Sequence, residues 1–254
     1  MIRLEKLGYA YRQISSVAGV TDTESSISVL HNLSLVIPDQ SMVALLGPNG
    51  SGKSTLLKII AGELTPSQGH LGFSQELQGA IGYLSQSAQF DVSIPVSVFE
   101  VAAMGLLNRR GLFSAITSAD KARVSEMLAR VGLLHLANHN LHELSGGQLQ
   151  RLRFARLLVE GAKLLLLDEP FNAVDEKNQR DLLRLLNEQH RAGCTIITAM
   201  HNQSIANLHF PLHIYLGRET VALSTPATAI VTEPAQGAGS SFNPAELISY
   251  ELAR

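Results

Sequence analysis

The sequence predicts an α/β fold: a mixed, mainly parallel sheet with crossover helices, interrupted by an inserted helical subdomain. Three observations carry this expectation. Met42–Leu46, Leu164–Asp168 and Thr195–Met200 are short runs too continuously apolar for a sheet with one wet face. Helical spacing fills the stretches between them. From about 94 to 142 the strand signals fade while the helical spacing persists.

In chain order, Gln13–Ser28 is polar and small and reads as a loop. Met42–Leu46 reads as a buried strand, and Lys53–Ala61 as the helix that follows it. Within the insert, Thr117-Ser-Ala-Asp120 resembles a capping box. It opens a helix on which Val124, Met127, Leu128 and Val131 share a face, with Gly132 as the stop. Leu144-Ser-Gly-Gly-Gln148 opens another helix, with Leu149, Leu152, Ala155 and Leu158 inside and Arg151, Arg153 and Arg156 largely outside. Leu182, Leu183, Leu185 and Leu186 make the apolar face of the helix joining the last two strands, closed by Gly193. Ser224–Pro244 is a second polar stretch. The expected division is a folded body over 1–223, with the subdomain about 94–142, and a flexible tail over 224–254.

Composition excludes several functions. Among 254 residues, 20 Lys+Arg face 22 Asp+Glu, so no global basic field exists to hold nucleic acid. A single cysteine, Cys194, fits a reducing compartment and rules out an internal disulfide. The charged start MIRLEKLGYA does not read as a secretory signal, and no apolar run is long enough to span a membrane. The nine histidines are scattered and suggest no metal-ligand cluster.

The chemistry begins at Gly47-Pro48-Asn49-Gly50-Ser51-Gly52-Lys53-Ser54, which fits the phosphate-loop pattern G-x-x-x-x-G-K-[ST] between a strand and a helix. Glycines let successive N–H groups turn inward toward phosphate oxygens, and the helix N-terminus adds its positive dipole end. Lys53 is expected to reach the β- and γ-phosphates, and the Ser54 hydroxyl to ligate Mg²⁺. Leu164–Leu167 run into Asp168 and Glu169. Two acids after a strand are common by themselves. Beside a phosphate loop they are placed for Asp168 to hold magnesium through water and for Glu169 to polarise an attacking water. Kinases, GTPases and helicases share that much. Leu144-Ser145-Gly146-Gly147-Gln148, twenty residues ahead of the acidic strand, decides among them.

In this order and spacing the sequence resembles the ATP-binding cassette ATPases of ABC transporters, with motif matches from Tyr11 to His201. The resemblance implies a cassette core with an N-terminal antiparallel β part and the inserted helical subdomain, ATP and Mg²⁺ as cofactors, and ATP hydrolysis coupled to transport. It implies that Ser145, Gly146, Gly147 and Gln148 cap the γ-phosphate held by the phosphate loop, Gly47 to Thr55, of a second copy. Tyr11 matches the aromatic residue that stacks on adenine, with Tyr9 as its rival. Gln86 matches the glutamine that touches Mg²⁺ and links the site to the membrane partner. Phe171–Asp175 matches the loop that crosses the dimer interface, and His201 the switch histidine on the γ-phosphate. Asn202 stands where the family usually has Asp.

The implied partners are a second copy of the chain, an integral membrane permease received at Gln86–Leu107 and, indirectly, a substrate-binding protein, at the cytoplasmic face of the inner membrane. The stretch from Phe90 to Gly105, then Arg109-Arg-Gly-Leu-Phe113 and the Asp120 helix, looks like the cassettes of zinc, manganese or iron importers. Ferric-siderophore and cobalamin importers carry a similar insert. The alternative is a soluble ABC ATPase uncoupled from transport, such as a cluster-assembly protein.

Overall fold

The computed structural model describes residues 1–15, 23–79, 81–86, 91–92, 94–107, 115–172, 174–217 and 221–224. A three-stranded antiparallel sheet, ordered β2-β1-β4, is built from β1 (Ile2–Ser15), β2 (Thr23–Ile37) and β4 (Gln68–Phe73). The six-stranded sheet is ordered β5-β6-β7-β3-β8-β9. Its strands are β3 (Met42–Leu46), β5 (Ile81–Leu84), β6 (Leu164–Asp168), β7 (Thr195–Ala199), β8 (Leu212–Leu216) and β9 (Val221–Ser224). All neighbours in it run parallel except β8 and β9. The mainly parallel sheet and the antiparallel β part are as expected.

Continuous apolar strands are explained by what covers them. Met42, Ala44 and Leu46 of β3, with Leu165 and Leu167 of β6, face one core shared with the helices. Val43, Leu45, Leu164 and Leu166 face a second core, closed by the antiparallel sheet and helix α1 (Lys53–Ile60). Both faces are dry, so each strand position carries about 1.5–3 kcal/mol of burial per large side chain.

The segment after β5 contributes α2 (Val98–Ala103) and α3 (Ser118–Arg130). Thr117 caps α3 as its sequence implies: its hydroxyl accepts from Asp120 N–H at 3.3 Å, and the Asp120 carboxylate accepts from Thr117 N–H at 2.8 Å. Val124, Met127, Leu128 and Val131 are buried together, and Gly132 follows in the left-handed region at φ 71°. Next come α4 (Gly146–Glu160), α5 (Glu176–Arg191) and the short α6 (Gln203–His209). No helix among the described residues is long and apolar enough to cross a membrane.

Three expectations need correction. Gln13–Ser28 is largely strand: β1 and β2 pair from Ile2↔Ile37 out to Ser15↔Thr23, and only 16–22 lie outside the described residues. Arg151 and Arg153 are not outside, because α4 packs against α2 and α3 as well as the sheet edge. Phe154 and Leu157 are buried beside Leu152 and Ala155; of the three arginines Arg156 alone is exposed, Arg151 and Arg153 being half-buried, and Arg151 Nη1 donates to Val131 O at 3.3 Å. Ser224, expected to open the tail, is the last residue of β9 and pairs with His213. Residues 225–254 and the Arg109–Phe113 motif lie outside the described residues.

Candidate functional site

Strands β3, β5, β6 and β7 are parallel, so their carboxyl ends open on one edge, where sheets of this kind bind ligands. Leu45 pairs with Ala199, and Ala199 with Asp168. The turn after β3, the acids after β6 and His201 after β7 therefore start from one level. Met200 N–H donates to Leu45 O at 3.1 Å and Glu169 N–H to Ala199 O at 3.0 Å, which fixes it.

Between β3 and α1 the chain turns through Gly47, Gly50 and Gly52, at φ 148°, 79° and 95°. A Cβ at Gly47 would collide with the Leu216 carbonyl oxygen, and one at Gly52 would stand 2.7 Å from the Leu30 side chain. Only glycine makes this turn at those two positions. Lys53 is buried, and its Nζ donates to Gly47 O at 2.8 Å and Pro48 O at 3.0 Å. Ser51 N–H donates to Pro48 O at 3.2 Å. The turn is closed upon itself, with the ammonium at its centre.

Beside it lies an open cleft of about 660 Å³. Asn49, Gly50, Gly52, Lys53, Ser54 and Thr55 line it from the turn and helix, Tyr11 and Val29 from the β1–β2 hairpin, and Gln86, Glu169, Asn172 and His201 from the strand ends. Gly47, Pro48 and Ser51 shape the turn from behind. Tyr11 faces the cleft at 38% exposed, its hydroxyl 3.3 Å from Thr55 Oγ1, while Tyr9 packs against the core with its ring edge-on to Tyr11. Of the two tyrosines, it is Tyr11 that lines the cleft.

Glu169 sits at φ 52°, a left-handed backbone unusual for its type, which swings its side chain into the cleft. Gln86, two residues past the end of β5, donates from Nε2 to Glu169 Oε2 at 2.7 Å. Asn172 Nδ2 donates to the same oxygen. His201 Nδ1 lies 4.0 Å from the other oxygen, Oε1. Asn172 and Val29 are cleft residues that motif reading passed over. Asn172 was legible only as an unassigned member of Phe171–Asp175, and Val29 had no signal beyond following a polar stretch.

Asp168 is buried at the end of β6, and its Oδ1 has no hydrogen-bond partner among the described residues. Burial pushes its carboxyl above the ordinary range, against the lowering effect of the Ser54 hydroxyl, while Glu169 adds to the rise. A dry carboxylate oxygen left unpaired beside a hydroxyl suits a hard divalent cation. The raised value also sets a pH dependence. The protonated carboxyl stabilises the free protein fully below its unfolded pKa of about 4, and this is lost as pH rises through the higher folded value. At neutral pH the carboxylate is a net cost. Asp168→Asn is expected to raise the melting temperature of nucleotide-free protein at pH 7.5, and to raise it less at pH 4.5. The same change is expected to lower Mg²⁺-dependent ATP turnover at least about tenfold. Thermal melts at both pH values and a phosphate-release assay check the pair of effects.

Ser145, Gly146, Gly147, Gln148 and Asp175 are not brought to this cleft. Ser145 Oγ accepts from Gln148 N–H at 3.3 Å, and Ser145 N–H donates to Gln148 Oε1 at 2.7 Å, a capping box that leaves Ser145 and Gly146 exposed. Asp175 caps α5, accepting from Asn178 N–H at 2.9 Å, and that bond holds its carboxyl below the usual range. The site within one chain is thus a phosphate turn with acids, amides and a histidine around it, and its glycine-rich signature faces elsewhere.

The family model described as ABC transporter matches residues 30–172. The chain is similar to the manganese transport system ATP-binding protein of Synechocystis, 37% identical over 214 residues, which is 82% of either chain. It is similar to the zinc uptake system ATP-binding protein of Listeria monocytogenes, 36% identical over 206 residues, 78% of this chain and 80% of that one. Among solved structures it resembles a dimeric ATP-binding cassette in a post-hydrolysis state with ADP and phosphate bound, with a TM-score of 0.72, 27% identity, and coverage of 87% of this chain and 98% of the other. The chain belongs to the ABC transporter family, as an ATP-binding and ATP-hydrolysing cassette.

Proposed function

We propose that the chain powers a metal-ion importer, and that two copies close around ATP to do so. The observation that carries the two-copy reading is the exposed Ser145–Gly146 turn, standing apart from the cleft that Lys53, Ser54, Gln86, Glu169 and His201 line together. The dimeric cassette it resembles supports the same arrangement. The cargo reading draws on the manganese and zinc systems to which the similar proteins belong.

In this mechanism the turn from Gly47 to Thr55 cradles the phosphates, Lys53 meets the β- and γ-oxygens, and Tyr11 stacks on the base. Ser145, Gly146, Gly147 and Gln148 of the partner subunit cap the γ-phosphate through backbone N–H groups at a helix start. Asp175 stands in the loop that crosses between the copies. Ser54, Asp168 and Gln86 are the residues that would hold Mg²⁺, which when bound neutralises charge on the phosphate oxygens. Glu169 takes the proton of the attacking water, and His201 meets the γ-phosphate. Neither half encloses the nucleotide alone. ATP glues the copies and hydrolysis loosens them, a closing and opening that a membrane partner can use.

The permease is received at 86–107, where Val92, Ile94, Met104 and Leu107 expose apolar surface, and the pair works at the cytoplasmic face of the membrane. The working cassette runs from residue 1 through the end of β9 at Ser224, with the helical subdomain about 94–142 bearing the docking face. Copurification from detergent-solubilised membranes tests this. The expected result is a multi-span protein bound to this chain, with ATP turnover raised severalfold by a zinc- or manganese-loaded binding protein. A chain with full turnover and no membrane partner belongs instead to a soluble ATPase.

A further inference from the structure

The two oxygens of Glu169 are treated unequally. Gln86 and Asn172 both donate to Oε2, and neither donates to Oε1. Among the described residues, that leaves Oε1, on the His201 side, as the oxygen with open lone pairs. Asn172 can do this because of the backbone on which it stands. Glu169 enters the left-handed region at φ 52°, the chain turns, and Asn172 N–H donates back to Glu169 O at 3.3 Å. The turn brings the Asn172 side chain beside the carboxylate three residues earlier. Gln86 reaches the same oxygen from another strand end, so one donor is tied to the acid's own loop and the other to β5.

We propose that Asn172 is a positioning residue for hydrolysis: its amide engages Glu169 Oε2, fixes the carboxylate plane, and assigns Oε1 as the oxygen that receives the proton. This rests on the reading of Glu169 as the general base. In the step it serves, the water oxygen bonds to the γ-phosphorus and one water proton passes to Oε1. The electron pair of the breaking phosphorus–oxygen bond leaves with ADP. Asn172 exchanges no proton. It keeps one oxygen occupied, so that a side chain with free rotation does not present the wrong lone pair or swing out of line, the kind of misplacement to which reaction rates are steeply sensitive. Its own exposure means that little packing is lost when it is changed.

The test compares Asn172→Ala and Asn172→Asp in the full chain, with Glu169→Gln alongside. Asn172→Ala is expected to lower kcat about tenfold, the loss of one hydrogen bond to a charged group, with KM for ATP within twofold of the parent. Asn172→Asp keeps the shape but removes the donor and sets a like charge beside Glu169, so its kcat is expected to fall further still. In the Glu169→Gln background, Asn172→Ala is expected to leave both the slow residual turnover and the ATP-bound dimer unchanged, because no carboxylate remains to be positioned. The proposal is overturned if Asn172→Ala keeps kcat within twofold, if Asp is tolerated better than Ala, or if the double variant loses the dimer, which would make Asn172 an interface residue. Should Glu169→Gln itself turn over ATP normally, the reading of the base fails, whatever Asn172 does.

Discussion

Glu169→Gln is expected to lower ATP turnover by about 10²–10⁴-fold while leaving ATP affinity near its parental value. The carboxylate is the acid of the cleft best placed to take a proton from water: it is 14% exposed, faces the space beside the phosphate turn, and has Oε1 directed toward His201. Glutamine keeps the shape and can still meet Gln86 and Asn172 after an amide flip, but it cannot accept a proton at pH 7. The phosphate turn is expected to keep its shape, since among the described residues Glu169 hydrogen-bonds Gln86 and Asn172 and not Lys53. The consequence reaches beyond rate. If hydrolysis is what separates the two copies, blocking it leaves ATP in place and the dimer shut. Size-exclusion chromatography with ATP and Mg²⁺ is expected to show a dimer for this variant and a mixture dominated by monomer without nucleotide. A variant that binds ATP yet runs as a monomer overturns the two-copy site.

What was legible in the sequence follows a physical division. The phosphate turn was readable because a backbone that curls around phosphate needs glycine at fixed spacing, and Gly47 and Gly52 have no room for a Cβ. The buried strands were readable because both faces are covered, which leaves unbroken apolar runs. The β1–β2 hairpin was not. Its outer part, Gln13↔Ser25 to Ser15↔Thr23, is held by pairing between distant residues and bears the polar, small side chains of a loop. Arg151 and Arg153 misled for a related reason: an amphipathic reading assumes one wet face, and α4 has helices on one side and sheet on the other. Within the site, Lys53, Glu169, Gln86 and His201 were found by motif. The double engagement of Glu169 Oε2 was not, because it depends on the φ of a single residue and no periodicity encodes that.

Lys53→Ala is expected to weaken ATP binding by about 100-fold or more, a loss of roughly 2.7 kcal/mol, with little effect on folding. The reason lies in what Nζ does before nucleotide arrives. It is buried and, among the described residues, bonded only to carbonyl oxygens, Gly47 at 2.8 Å and Pro48 at 3.0 Å, so its charge is already at the centre of the turn and paired with no acid there. An incoming triphosphate meets a preplaced cation whose ordering cost has been met during folding. Alanine removes the charge and leaves those two carbonyls facing the phosphates, a change from attraction to repulsion at the same spot. Lys53→Arg is expected to rescue little. A planar guanidinium needs more width than an ammonium, and the turn is closed by Ser51 N–H on Pro48 O at 3.2 Å, with Gly52 pressed on Leu30. Titration with a fluorescent ATP analogue measures the affinity, and thermal melts without nucleotide check the fold. Parental melting with lost binding supports the electrostatic account. Binding retained by Lys53→Ala would place the energy in the backbone N–H groups alone and remove the lysine from the site.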